Sequence, residues 1–282
     1  MNEELKIIIK AFTDQAKKAV KEVKDEIEAT GDAAKKHSKS ISDSMKSIAK
    51  GATAVVGSIS AVTTALILFG KHTIEAQKNI SKLNAAFQAS GGNAKQANEV
   101  YKNLYRFMGD SDSATEAAQN LSRITTNTQD LAEWTKILQG VYARAGDAIP
   151  IESLAEAANE TIQVGKVTGV MADALNWVGV SEDAFNAKLA QTTSLSEREA
   201  LVRGTLNSLY MEASNIYERN NQALLANAES QARLDIALAE AGRVILPLIT
   251  AFNNFSRSLG VNLNPGIFSI PTTLKDIIGI FS

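Results

Sequence analysis

Residues 51–70 read GATAVVGSISAVTTALILFG, an uncharged run held between Lys50 and Lys71. A helix of this length spans roughly 30 Å, about the thickness of a bilayer core. Val55, Ile59, Val62, Leu66 and Phe69 recur at steps of three and four, which predicts one apolar stripe. Thr53, Ser58, Ser60, Thr63 and Thr64 soften the remainder. Insertion would therefore be marginal, because leucine and isoleucine each contribute only a few tenths of a kcal/mol and serine and threonine contribute nothing favourable. The expectation is a membrane-grade apolar helix over 51–71. Two destinations stay open for it: packing against partner helices, with small residues allowing close approach, or transient contact with a bilayer.

The rest of the chain reads as water-exposed helix. It has 282 residues, 45% hydrophobic and 21% charged, with a formal net charge of -2. That balance gives no electrostatic reason for general nucleic-acid binding. With no cysteine, disulfides, thiol catalysis and cysteine-ligated zinc are excluded. The start, MNEELKIIIKAF, lacks a positive n-region and a cleavable apolar core, so no ordinary secretory signal is expected there. The four prolines stand at 150, 247, 265 and 271, leaving residues 1–149 free of the residue that most disrupts helices. Alanine is abundant and aromatic residues make up 6%. This composition predicts an all-α chain with thin, alanine-rich helix contacts.

Punctuation divides the chain further. Residues 5–12 fit a short strand or the start of a helix equally well. A lysine-rich amphipathic segment fills 1–50, with a distinctly basic balance from Lys35 to Lys50 and apolar positions at Ala34, Ile41, Met45 and Ile48. Solvated helix faces account for these lysines more simply than lipid headgroups do. A bundle of short helices is expected over 72–195, with breaks at Ser90–Gly92, Gly109–Asp110, Asp147–Pro150, Gly165–Gly169 and Gly179. Predicted caps are Ser113 of a Ser-Ala-Thr-Glu capping box, Asn127 or Thr128, Ser181 and Ser194. A long helix and an apolar extension occupy 196–260, the helix running unbroken from about Ser196 to Gly242. Residues 261–282 form an apolar tail broken by Pro265 and Pro271. The fold expected is an elongated multi-helix protein: a central bundle, a long C-terminal helix and the apolar helix.

Signals of chemistry are weak. His37 and His72 flank the apolar run without carboxylates at ligand spacing, so they predict no metal site. Gly165-Lys-Val-Thr-Gly169 has the outline of a phosphate loop but lacks its first glycine and its Lys-[Ser/Thr] step, and reads as a turn. Glu182, Asp183, Glu197 and Glu199 stand in first helical turns, where the helix dipole favours them. Trp134 and Trp177 sit in amphipathic contexts and read as core anchors. No catalytic residue, cofactor or metal is expected.

Four phrases carry a resemblance. They are KSIAKGATAVVGSISAVTTALILFG (46–70), KHTIEAQKNISKLNAAFQASGGNAKQANEVYKNL (71–104), the long block from LAEAANETIQVGKVTG to REALVRGTLNSLY (154–210), and NNQALLANAESQARLDIALAEAGRVILPLITAFNN (220–254). In wording and order they are similar to the tail tape-measure proteins of phages and prophages of Gram-positive bacteria, over about three-quarters of the chain. The resemblance implies a virion structural protein in the tail tube that scaffolds tail assembly, sets tail length and leaves ahead of the DNA at ejection. It implies as partners the tail tube protein, tail assembly chaperones, distal tail or baseplate proteins, further copies of the chain, and the host membrane during ejection. Family members are far longer, so a fragment or short form is expected. The residues alone also fit a second reading, an α-helical pore-forming or permeabilising protein that uses 51–70.

Overall fold

The computed structural model describes residues 59–258. These residues form nine α-helices, a single 3-10 turn and no strand, so the all-α expectation holds for the described chain. The helices are α1 (Ile59–Ala89), α2 (Ala94–Met108), α3 (Ser111–Ile124), α4 (Thr128–Ala145), α5 (Ile151–Val164), α6 (Met171–Asn176), α7 (Glu182–Leu189), α8 (Leu195–Asn220) and α9 (Gln222–Ser258), with the 3-10 turn at Gly146–Ala148. The strand-or-helix alternative at 5–12, the segment 1–50, Val55 and the tail 261–282 lie outside the described residues.

Two compact units emerge, one of residues 79–232, the other containing the described residues 59–78 and 233–258. In the first, α2 to α7 run from 6 to 18 residues, and local caps set many of their ends. Asn93 caps α2 reciprocally with Gln96, and Gly109 ends it at φ 70, a left-handed conformation that glycine adopts without a Cβ clash. Asn127 accepts from the Gln129 and Asp130 amides to start α4, Ser181 caps α7 and Ser194 caps α8.

Two predicted boundaries move. The α3 cap is Asp110, whose carboxylate accepts from the Ser113 amide at 2.8 Å. Ser113 is thus the donor at the third helical position and not the cap. A carboxylate meets the positive helix end better than a hydroxyl does. The long helix expected from Ser196 to Gly242 breaks at Asn221, with φ -122 and ψ 24. There the Asn221 amide side chain donates to the Tyr217 carbonyl at 2.9 Å, competing with the backbone ladder. The chain then restarts as α9, which continues through Gly242 and Pro247 for 37 residues in all.

Packing in the first unit runs along two main helix pairs, α4 with α8 and α3 with α5. The α3–α5 seam is alanine-rich: Ala114, Ala117, Ala118, Ala155 and Ala158 are buried beside Leu121, Leu154 and Ile162. Small side chains let the helix axes approach, so contact is made by backbone and methyl groups. Gly140 does the same for α4 and α8. A Cβ there would overlap the Tyr210 carbonyl oxygen and stand 2.9 Å from its carbonyl carbon. Trp134 and Tyr210 fill the centre, and the Tyr210 hydroxyl donates to the Ala174 carbonyl at 2.5 Å.

In the other unit, α1 and α9 meet through small residues. Thr73, Ala76, Ala239, Ala241 and Gly242 are buried, and a Cβ on Gly242 would lie 3.1 Å from the Thr73 Cβ.

Candidate functional site

The apolar stripe places Ile59, Val62, Leu66 and Phe69 in the first three turns of α1, at spacings that keep these positions on one side of the helical backbone. α1 does not end with the uncharged run. It continues without a break through Lys71, Glu75, Lys78 and Lys82 to Ala89. Only residues 59–70 of the run fall in a described helix, and among the described residues no helix is long and apolar enough to cross a membrane. Of the apolar helix expected over 51–71, residues 59–71 thus belong to a described helix that runs on through charged sequence to Ala89, and residues 51–58 lie outside the described residues.

A polar tie joins α4 to α8. The Arg203 guanidinium forms ion pairs with Asp130 at 3.1 Å, with Glu199 at 2.7 Å and with Glu133. Glu133 also accepts from Asn207, and Glu199 accepts from the Trp134 indole N–H at 3.0 Å. The hydrogen bond to Glu199, above the other causes, raises the Arg203 pKa. Further along the same seam, Ser214 donates to Gln139 at 2.8 Å. Arg106 on α2 reaches both Glu218 on α8 and Glu229 on α9, at 3.3 Å and 3.6 Å. None of these groups was singled out as a site from the sequence. The available signals were local ones, Asp130 with Glu133 three residues on, and Glu199 with Arg203 four residues on.

Of the two carboxylates expected in the first turn of α8, Glu197 stands there and Glu199 lies in the second turn. Glu197 accepts from the Thr193 amide at 2.6 Å and from its hydroxyl at 2.9 Å, and these bonds hold its carboxyl below the ordinary value. Glu199, two residues on, faces α4. Carboxylates in this region are thus engaged in capping and in tying helices together.

The segment 165–169 is a turn, as its residues indicated. Gly165 stands at φ 75 and Gly169 at φ 48. The Val167 amide donates to the Asn186 side chain at 2.7 Å, and the Thr168 hydroxyl donates to the Ala157 carbonyl at 3.2 Å. Its amides thus serve the protein's own acceptors. Beside it, Arg198 donates to the Ile162 and Gln163 carbonyls at 3.3 and 3.0 Å, closing the C-terminal end of α5. Trp134 is fully buried, whereas Trp177 is 51% exposed just after α6. The amphipathic setting of Trp177 was misread as core: with its backbone still helical, its position falls off the face of α6 that buries Met171, Ala174 and Leu175.

One concavity of about 250 Å³ lies where α2 meets α3 and α4 meets α5. Met108, Tyr142 and Ile149 give it apolar walls, and Asp110, Asp147 and Glu152 stand around it. Tyr142 is itself held edge-on to Tyr217 with ring centres 5.8 Å apart. Among the described residues no group of three or more His, Asp or Glu is placed to hold a metal ion.

No family model, no curated protein and no solved structure matches the chain.

Proposed function

We propose that the chain is a tail tape-measure protein: a structural component of the tail tube that scaffolds tube assembly and sets its length. It acts by packing and reach, without catalysis. The observation that carries this reading is the run of phrases at 46–70, 71–104, 154–210 and 220–254, taken in that order. The described architecture is consistent with it. In chain order, helices α1 and α9, of 31 and 37 residues, precede and follow α2 to α8. A helix of the length of α9 reaches about 55 Å at ~1.5 Å per residue, so helical segments turn residue number into distance. Its partners on this reading are the tail tube protein, assembly chaperones, distal tail or baseplate proteins and copies of itself. The apolar run 51–70 meets the host membrane only as the protein leaves the tube.

The test is composition and contact in isolated tail particles. Mass spectrometry of purified tails should find the chain, and chemical cross-linking should join it to tube protein. Tails of normal composition that lack it would contradict the reading.

A further inference from the structure

The outer face of α5 is acidic and unpartnered. Glu152, Glu156 and Glu160 recur at steps of four on one side of the helix. Glu156 and Glu160 are exposed and Glu152 is half-buried. None of the three forms an ion pair with any described residue. Like charges at this spacing oppose helix formation by roughly 0.2–0.5 kcal/mol per pair. The dipole favours Glu152 in the first turn but not Glu160 in the third. α5 thus carries a repulsive row that no described residue neutralises. The row leads at its N-terminal end into the 250 Å³ concavity, which Glu152 lines along with Asp147 and the apolar walls of Tyr142 and Ile149. A partner matched to this surface has positive charges along one line and an apolar side chain for the concavity.

The chain itself encodes such a segment. KKHSKSISDSMKSIAK, residues 35–50, carries Lys35, Lys36, Lys39, Lys46 and Lys50 against the single acid Asp43, with Ile41, Met45 and Ile48 interleaved. Lys35 with Lys39, and Lys46 with Lys50, repeat the step of four that separates the glutamates. We propose that the α5 face is an interaction surface for residues 35–50 of a second copy of this chain, with lysines on the glutamate row and an apolar side chain in the concavity. A face on one copy that takes a different segment of the next is a head-to-tail contact, which propagates copies in a line or ring. The proposal does not depend on the tail reading.

Sedimentation velocity on the full chain at low (~0.05 M) and high (~0.5 M) salt tests it, because exposed ion pairs are screened across that range. The wild type should associate at low salt and dissociate at high salt. The E152Q/E156Q/E160Q variant should lose about tenfold in association constant, as expected for three exposed pairs. Neutralising Lys39, Lys46 and Lys50 to glutamine should do the same. Reversing both sets of charges together, glutamates to lysines and lysines to glutamates, should restore association, which a merely destabilised fold would not. A wild type that stays monomeric at low salt overturns the proposal. So does association indifferent to salt, or association that the glutamine variants leave unchanged.

Discussion

Gly140 and Gly204 show how much one hydrogen atom decides. Both are helical, yet Gly140 faces the Tyr210 backbone while Gly204 meets nothing within 4 Å. Gly140→Ala must push α4 away from α8 and should lower stability by about 2–3 kcal/mol in urea denaturation. Gly204→Ala should raise it by about 0.5–1 kcal/mol, since alanine restricts the unfolded chain and favours helix. The two tryptophans separate likewise. Trp134→Ala should cost about 3–5 kcal/mol, whereas Trp177→Ala should stay within about 0.5 kcal/mol. Arg203→Met keeps much of the stem but leaves Asp130, Glu133 and Glu199 facing one another, and should cost about 2–3 kcal/mol by the same measurement. From sequence these residues look alike in pairs, glycine with glycine and tryptophan with tryptophan. What distinguishes them is the neighbour brought from far along the chain, such as Tyr210 opposite Gly140, and no local pattern encodes that.

At the scale of elements the sequence was more legible, because caps and stops are local chemistry. Asn127, Ser181 and Ser194 start the helices their side chains can cap, and Gly109, Gly165 and Gly179 stand after helices in the left-handed conformation. The Asn221 break was missed because the Asn220-Asn221 pair, with no glycine or proline beside it, is a weak stop until a side chain takes a backbone carbonyl. The length of α1 was missed for the opposite reason. A change from uncharged to charged sequence alters what surrounds a helix, not whether the backbone ladder continues. Glu197 gives this scale a pH dependence. Its Thr193 bonds favour the carboxylate, so its pKa is lower in the folded chain than its ordinary value of 4.5. The stability from this contact is therefore fully present above pH 4.5 and is lost as pH falls through the lower folded value. Glu197→Gln should flatten the acid limb of the stability curve below pH 4.5 and leave its shape near neutrality unchanged, as followed by thermal melts.

For the whole molecule, all-α character followed from composition, from proline placement and from alanine-rich patterning. The two-unit division did not, because it pairs residues 59–78 with residues 233–258, a long-range association that no local signal carries. The function proposed above rests, at this scale, on converting helix into length. If the chain is a ruler, residues inserted in a helix must appear as tail length. The most direct measurement is electron microscopy of tails from particles whose gene carries an in-frame repeat of 36 residues, ten helical turns, within α9. The account predicts tails longer by about 54 Å, or by the next whole ring of the tube, at ~1.5 Å per residue. Normal particles with tails of unchanged length would contradict it.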